Sequence, residues 1–436
     1  MDIHVNYAEE KGPIRIMNAV NNGPMRKVTD QKCDNFDSYK ALKIPFARNH
    51  DASFSASYGL NHTVDVDFIF TDFDADPEDP ENYDFALTDQ YIETTLLAGT
   101  EVYYRLGSRI EHEIRKYNTL PPKDFKKWAV ICEHIIRHMN EGWAEGHHYN
   151  IRYWEIWNEP DLDPDDSLNK RTWGGTKAEF FDLFEIAAKH LKKCFPDLKI
   201  GGPALSGNMK WGEEFLFEMK KREVPMDFFS WHRYAYETRF IADMCDEVRD
   251  LMDRAGYKEA ESILNEWNYI KGWSDEFAYS LEQIRGIKGA VFTADLMVRC
   301  QHKPLDMLMY YDARCNTGFN GMWDPVNQRP IKGYYPFVMW KLLKELGTEV
   351  YCDAETGNIC AVAAKDRMGH GAVMLTYFSD NDTDFNVKHV ELKIAGATPK
   401  RVRVHVLDKY MDMAPVGDSL SFDMEPNSAV YAEMEI

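Results

Sequence analysis

Residues 154–161 read Trp-Glu-Ile-Trp-Asn-Glu-Pro-Asp, a short β-rich run that ends in a proline. Because Pro160 has no backbone N–H to donate, a central strand has to end beside it. The sequence therefore predicts a strand over Arg152–Glu159 that presents the Glu159 carboxyl at the edge of a sheet. A second predicted strand, Ser262-Ile-Leu-Asn-Glu-Trp-Asn268, presents Glu266 in the same way.

Both runs belong to a series of eight that alternates with helical patterns, among them one over Lys177–Lys193 that begins with a capping box formed by Thr176 and Glu179. Eight β/α repeats are typical of an α/β (β/α)8 TIM barrel, in which catalytic groups lie at the C-terminal ends of the strands. A doubly wound open sheet is the alternative, but it usually has five or six strands and a GxGxxG turn, which Gly201–Gly207 does not match. The eight predicted strands are Ile14–Val20, Ile44–Arg48, Glu101–Leu106, Arg152–Glu159, Lys199–Ala204, Phe228–Tyr234, Ile263–Trp267 and Met307–Asp312; the predicted helices are Lys123–Glu141, Lys177–Lys193, Leu281–Cys300 and Tyr335–Leu346.

The pattern changes after Gly347, where about seven short alternating runs are separated by turn signals such as Pro415-Val-Gly-Asp418. Such a series is typical of an all-β sandwich. Residues 2–8 alternate similarly, so we expect residues 1–13 to add a strand to this sandwich. The predicted organisation is an N-terminal strand (1–13), a catalytic barrel (14–346) and a C-terminal β-sandwich (347–436).

Composition limits the partners of the chain. Its 436 residues include 51 basic and 72 acidic side chains, a formal charge of −21 that disfavours binding to nucleic acid or an anionic membrane. The 24 Phe, 23 Tyr and 11 Trp residues suit stacking against a neutral ligand such as a sugar, although most rings in any protein are core.

Three further expectations concern compartment, thiols and assembly. No apolar stretch is long enough to span a membrane, and Met1–Ala8 does not resemble a signal peptide. We therefore expect a cytoplasmic protein, or a periplasmic or secreted one whose leader was removed before this numbering begins. The eight cysteines lack CxxC spacing and are expected to be free thiols, and the oligomeric state stays open.

Metal-binding patterns are incomplete. Asp72–Asp76 begins like a calcium loop, but Pro77 replaces the required glycine. The pair His134 and His138 has zincin spacing without the general-base glutamate, and His147-His148 is expected to lie in a loop without partners. The sequence thus predicts neither a metal nor a cofactor.

The two predicted strand-end glutamates carry the chemistry. Strands four and seven face one another across the mouth of a (β/α)8 barrel, so the carboxyls of Glu159 and Glu266 can converge. Retaining glycosidases need such a pair, in which one carboxyl attacks the anomeric carbon and the other protonates the leaving oxygen. The alternative is that both are surface glutamates at strand ends.

The motifs now reached resemble a known family. Trp157-Asn-Glu-Pro160, Ile200-Gly-Gly-Pro-Ala204 and Val224-Pro-Met-Asp-Phe-Phe-Ser-Trp-His-Arg-Tyr234, followed by Ile263-Leu-Asn-Glu-Trp-Asn268, resemble glycoside hydrolase family 39 of clan A. That family contains β-xylosidases and α-L-iduronidases, and the resemblance covers essentially the whole chain. It implies that Glu159 is the acid/base and Glu266 the nucleophile. It also implies sugar-site roles for Asn158, His232, Tyr234, Arg48 and His50.

The sequence departs from the family pattern around strand eight, where relatives that act on xylosides hold the sugar hydroxyls. Tyr311, Asp312 and Trp323 are candidate replacements, and Arg314 could meet a uronic acid carboxylate or form a plain salt bridge. The acidic stretch Asp161–Asp166 makes an anionic sugar less attractive.

The resulting hypothesis is a retaining, exo-acting hydrolase of a β-linked neutral sugar, β-xylosidase-like or β-galactosidase-like. An inactive carbohydrate-binding barrel and an α-L-iduronidase-like hydrolase are the alternatives.

Overall fold

The computed structural model describes residues 1–26, 33–50 and 62–436. Eight parallel strands close into a barrel in chain order, with the last strand pairing with the first, which confirms the predicted TIM barrel. With β1 reserved for the strand at Asp2–Pro13, the barrel strands are β2 (Ile16–Asn21), β3 (Phe46–Asn49), β4 (Glu101–Leu106), β5 (Tyr153–Ile156), β6 (Lys199–Leu205), β7 (Phe228–Ala235), β8 (Glu261–Tyr269) and β9 (Met307–Tyr310).

Helices cover the outside of the barrel, and they differ from the predicted set in two ways. The predicted helix Leu281–Cys300 is two helices, because Gly286 between them is extended, with φ −96° and ψ −172°. Three longer helices, at Ala86–Leu97, Met209–Lys221 and Thr238–Ala255, were not predicted. The second of them begins at a regular cap, with Asn208 accepting from the Trp211 N–H. The helices are α1 (Phe36–Ala41), α2 (Val66–Ile69), α3 (Ala86–Leu97), α4 (Phe125–Glu141), α5 (Lys177–Cys194), α6 (Met209–Lys221), α7 (Thr238–Ala255), α8 (Phe277–Arg285), α9 (Ile287–Gln301) and α10 (Tyr335–Leu346); short 3₁₀ helices cover Pro80–Asn82 and Lys332–Tyr334.

The end of β5 corrects the predicted strand Arg152–Glu159. The ladder stops at Ile156, because Trp157 and Glu159 take left-handed φ values of 73° and 47°. The Glu159 N–H instead donates to the carbonyl of Ala204 at the end of β6, at 2.9 Å. Glu159 is therefore held by a strained turn just beyond the strand rather than by the strand itself.

The remaining strands form a second, mostly antiparallel sheet of ten strands, in which β1 lies between a C-terminal strand on each side. The turn expected at Pro415–Asp418 lies largely within an additional edge strand at Asp412–Gly417, and Glu355–Thr356 is a second short addition. The strands after the barrel are β10 (Thr348–Cys352), β11 (Glu355–Thr356), β12 (Ile359–Lys365), β13 (His370–Tyr377), β14 (Lys388–Ala395), β15 (Lys400–Leu407), β16 (Asp412–Gly417), β17 (Ser421–Met424) and β18 (Ser428–Glu435).

Side-chain alternation fixes how this sheet packs. Ile359, Ala361 and Ala363 of β12 enter the core of the sheet domain, whereas Cys360, Val362 and Ala364 join the large core shared with the barrel helices. Both faces of the central strands are thus buried, so the sheet domain is fixed against the barrel. Among the helices in the described part of the chain, none is long and apolar enough to cross a lipid bilayer.

The barrel interior has an apolar layer below the site. Alternating positions of the barrel strands point inward, and the lower of these positions carry apolar side chains, most of them large. They form a cluster of their own, made of Ala19, Phe46, Tyr103, Tyr153, Phe228, Ile263, Met307 and Met309. On most of these strands the inward side chain two residues further along is polar, and Arg48, Arg105 and Glu155 at such positions support the candidate site above the layer.

Candidate active site

Two carboxyl groups meet above the apolar layer. Carboxylate oxygens of Glu159 and Glu266 and a ring nitrogen of His232 all lie within 4.8 Å of one another. The two side chains are 14% and 7% exposed, so they remain reachable from the barrel mouth. Such a separation is typical of retaining glycosidases, whose carboxyls are ~5–5.5 Å apart, and too short for the water that inverting enzymes place between theirs.

Glu266, the predicted nucleophile, receives hydrogen bonds on both oxygens. Arg48 Nη1 donates to Oε1 at 2.7 Å, and the Tyr234 hydroxyl donates to Oε2 at 2.8 Å. Hydrogen bonds and a guanidinium both favour the charged form of a carboxyl group. Glu266 is therefore held as an oriented carboxylate, the form that can attack an anomeric carbon.

His50 approaches the same carboxylate at longer range, with Nε2 3.7 Å from Glu266 Oε1. Its other ring nitrogen, Nδ1, lies 3.2 Å from Arg105 Nε. A guanidinium can only donate, so His50 Nδ1 accepts and the proton of the neutral ring is on Nε2, facing Glu266. Sequence reasoning did not single out Arg105, which fixes this tautomer.

Glu159, the predicted acid/base, contacts His232, whose Nδ1 lies 2.7 Å from Glu159 Oε1 and 3.5 Å from Glu266 Oε2. Burial is the main cause that lowers the pKa of His232 from 6.5 to about 4, against the opposing pull of the Glu266 carboxylate. The imidazole is therefore neutral near pH 7, and it positions the Glu159 carboxyl without adding a fixed positive charge beside the acid.

Arg48 is the centre of the hydrogen-bond network. Besides Glu266, it donates from Nε to Glu155 at 2.6 Å and from Nη2 to the amide oxygen of Asn158 at 2.7 Å. Burial alone lowers the pKa of Arg48, but the carboxylates of Glu155 and Glu266 outweigh burial and hold that pKa above its usual value. The amide oxygen of Asn158 must face the guanidinium, which fixes the orientation of the whole amide.

Glu155 was missed by sequence reasoning. Its side chain is fully buried and accepts hydrogen bonds from Arg48, the Tyr103 hydroxyl (3.1 Å) and Asn265 Nδ2 (2.5 Å). The available signal was alternation, because a charged residue at an inward position of a barrel strand needs a buried partner of opposite charge. The identity of that partner became visible only when the barrel closed.

The three residues predicted around strand eight have different surroundings. Tyr311 lies beside the site, with its ring centroid 6.4 Å from that of Tyr234 and 6.5 Å from that of His50. Asp312 is fully buried and accepts from Asn22 Nδ2 and the Arg314 N–H, so it holds the loop after β9 together. Trp323 is also fully buried; its ring stacks on Tyr39, and its indole N–H donates to Ser38, so it packs the loop against α1.

Trp273, which sequence reasoning did not select, stands at the mouth instead. The residue is 62% exposed, an unusual state for tryptophan, and its ring lies 5.2 Å from that of Tyr234 and 6.4 Å from that of Phe319. An exposed ring beside the tyrosine that contacts Glu266 offers an apolar face to a ligand in the cleft.

Known proteins resemble this chain in sequence and in fold. The sequence matches Glycosyl hydrolases family 39 over residues 3–417. It is 29% identical over 178 residues to a β-xylosidase of Geobacillus stearothermophilus, a match that covers 38% of this chain and 33% of that protein. It is 34% identical over 127 residues to a β-xylosidase of Caldicellulosiruptor saccharolyticus, covering 29% of this chain and 24% of that protein.

These matches therefore span a third or less of the two curated relatives. Among solved structures, a glucosidase from Croceicoccus marinus superposes over 100% of this chain and 98% of its own, with a TM-score of 0.81 at 20% identity. At that identity the superposition shows a shared fold.

Proposed function

The chain belongs to glycosyl hydrolase family 39, and on that premise we propose that it is a retaining glycoside hydrolase that removes a β-linked neutral sugar, with a β-xyloside as the first candidate. The observation that carries the proposal is the pair Glu159 and Glu266, whose carboxylate oxygens approach within 4.8 Å. Relatives described as β-xylosidases support the choice of sugar.

In the first step, Glu266 attacks the anomeric carbon and Glu159 gives its proton to the leaving oxygen, forming a glycosyl ester on Glu266. The Arg48 and Tyr234 hydrogen bonds aim the attacking oxygen. Once the ester has formed, the negative charge of Glu266 is gone, so Glu159 can act as a base for the water that releases the sugar. No step requires a cofactor.

The charges at the site favour a neutral sugar over a uronic acid. Arg48 already lies between two carboxylates, and Arg314 is ion-paired with Asp312, Nη2 to Oδ2, at 3.2 Å. A uronate would add a further negative charge beside Glu266 and Glu159. The exposed Trp273 ring instead offers the stacking surface that a neutral pyranose uses.

A panel of nitrophenyl glycosides tests the activity and the sugar together. We expect release from the β-xyloside or another neutral β-glycoside, with proton NMR showing that the first product keeps the β configuration. Binding of sugars with no release from any glycoside would favour an inactive carbohydrate-binding barrel. Preference for an α-L-iduronide would support the iduronidase-like alternative.

Two variants assign the roles. Glu266→Ala should lower turnover by about 10⁵-fold or more, because the covalent step is lost. Glu159→Ala should be partly rescued by azide on substrates with good leaving groups, which need no proton. Glu259→Gln is the matched control, because this exposed glutamate lies just before β8, at the opposite end of that strand from Glu266. Near-normal turnover in Glu266→Ala would remove it from the role of nucleophile.

A further inference from the structure

A second cluster of ligating side chains lies on the outer wall of the barrel, where Asp89 of α3, His138 of α4 and His147 of the following loop converge. One ligating atom from each lies within 4.8 Å of the others. We propose that these three side chains form a binding site for a divalent transition metal of the zinc type, which fastens α3 to the end of α4. The expectation that His147-His148 lies in a loop without partners is wrong, because His147 meets Asp89 of a different helix and His148 contacts the Asn140 carbonyl.

The loop after α4 is folded back so that His147 lies against His138. The His147 N–H donates to the His138 carbonyl at 2.6 Å, and the Gly142 N–H donates to the His147 carbonyl at 3.0 Å. The close approach requires a glycine at position 146, where a Cβ atom would lie 2.2 Å from the His138 carbonyl oxygen. The two imidazoles are thus brought together by the backbone rather than by their mutual contacts.

Hydrogen bonding fixes the tautomer of His138. Its Nδ1 lies 2.9 Å from the Trp143 carbonyl, which can only accept, so Nδ1 carries a proton. In the neutral ring, Nε2 then directs a lone pair at Asp89 Oδ1, 3.0 Å away. Two facing lone pairs repel unless a proton or a metal ion lies between them. A ligating histidine is usually held in this manner, with its second nitrogen donating to a carbonyl.

His147 completes the set from the other side of the carboxylate, with Nε2 3.2 Å from Asp89 Oδ2. Zinc binds histidine nitrogen and carboxylate oxygen at about 2.0–2.2 Å, so neighbouring ligand atoms in one tetrahedral shell are about 3.3 Å apart. His138 Nε2 lies 3.0 Å from Oδ1 of Asp89 and His147 Nε2 lies 3.2 Å from Oδ2, so each nitrogen faces its own carboxylate oxygen at close to that spacing. Two imidazole nitrogens and the two oxygens of the Asp89 carboxylate then supply four ligand atoms.

The surroundings of the three ligands suit a fixed site with access from solvent. The His138 ring stacks on Phe85 with an interplanar angle of 4°, and the His147 ring stacks on Tyr149 at 10°. The side chain of His138 is 3% exposed, whereas those of Asp89 and His147 are 26% and 33% exposed. An ion can therefore enter beside His147 and reach a ring that is already oriented.

Metal titration of the full-length protein tests the site. After treatment with a chelator and dialysis, zinc chloride should bind in calorimetry with one equivalent and raise the midpoint of thermal unfolding, because a ligand that binds only the folded state stabilises it. His147→Ala should weaken this binding on the order of 100-fold or more and abolish the thermal shift. His147 is partly exposed, so this variant is expected to fold.

Two controls keep the outcome decisive. His148→Ala removes the neighbouring histidine, whose Nδ1 contacts the Asn140 carbonyl, and should bind zinc as the unchanged protein does. Cys194→Ser alters another cluster of ligating side chains, Glu133, His190 and Cys194, and should also bind zinc normally. Absence of zinc binding to the unchanged protein, or binding that survives in His147→Ala but is lost in Cys194→Ser, would overturn the proposal.

Discussion

The two ends of the barrel interior are built from the same strands and have opposite chemistry. On β3, Phe46 points into the apolar layer, and two residues later Arg48 enters the charged network. On β5, Tyr153 is followed in the same way by Glu155. Strand alternation places both members of each pair on the inner face. A shift of about two residues along a strand therefore leads from the apolar layer to the charged network.

The difference shows what each end contributes. The lower end stabilises the barrel by burying large side chains with little polar surface. The upper end buries Arg48, Glu155 and Glu266 side by side, and desolvating such charges can cost as much as their attraction returns. A charged network of this kind adds little net stability, so its value lies in the position and charge of the carboxylates that face the cleft.

The largest effect on stability is expected in the lower end. Phe228→Ala removes a fully buried ring that packs 5.3 Å from Tyr103 and 5.8 Å from Tyr153, centroid to centroid. The free energy of unfolding should fall by about 3–5 kcal/mol, measured by urea denaturation, while turnover per folded molecule stays unchanged. Phe217→Ala, at a ring that is 43% exposed, is the control and should change neither. Loss of activity in the folded Phe228 variant would show that the two ends are not separable.

Glu155→Gln probes the upper end. Here we expect turnover to fall while the free energy of unfolding changes little. Without the Glu155 charge, Arg48 forms an ion pair with Glu266 alone, so the carboxylate of this proposed nucleophile is more strongly stabilised before reaction. We expect kcat to fall on the order of 100-fold and the acid limb of the pH–rate profile to move to lower pH. A purely structural role would leave that limb in place. The profile therefore separates positioning of charge from loss of packing.

The barrel strands and the turn at Glu159 show what the sequence could and could not predict. Alternation and proline placement located all eight barrel strands, and the Asn158-Glu159-Pro160 motif pointed to the acid/base candidate. The left-handed turn at Glu159 could not be predicted, because it depends on the neighbouring Ala204 carbonyl.

Side chains that meet only when the barrel closes were less predictable still. The Arg48–Glu155 contact joins two strands that are far apart in the chain, and no local pattern encodes it. No sequence signal distinguishes Trp273 from Trp323, yet the first is 62% exposed at the mouth and the second is fully buried against α1. The role of a loop residue depends on tertiary packing. Composition therefore gives the number of aromatic rings but not which of them face the cleft.

A carboxyl group outside the barrel strands, Asp67 on α2, is compensated more weakly than Glu155. Burial, with a smaller contribution from Asp65, raises the pKa of Asp67 from 3.8 to about 7, and the Ser108 hydroxyl donates to it at 2.5 Å. The folded state then binds more protons than the unfolded state between pH 4 and 7, so stability falls as pH rises through that window.

Asp67→Asn should remove this penalty. The asparagine side chain keeps an acceptor for Ser108. Because Asp67 is partly exposed, solvent screens part of the penalty. We expect the free energy of unfolding to rise by about 2 kcal/mol at pH 8 and not at pH 4, measured by urea denaturation. Asp72→Asn, at an exposed position in the following loop, is the control and should show no such dependence on pH. A variant that is destabilised at pH 8 would mean that the charge of Asp67 is compensated after all.

The smallest expected effect concerns a single hydrogen bond in the upper end. Tyr234→Phe deletes the hydroxyl that donates to Glu266 Oε2 at 2.8 Å but keeps the ring that packs against Trp273. One hydrogen bond to a charged group corresponds to about 1.5 kcal/mol, so kcat should fall by about tenfold while KM for a neutral glycoside changes little. Trp273→Ala should do the reverse, raising KM through lost stacking with little change in kcat. If both variants altered the same kinetic constant, the hydroxyl and the exposed ring would not have separate roles, and the division between chemistry and sugar binding within the upper end would fail.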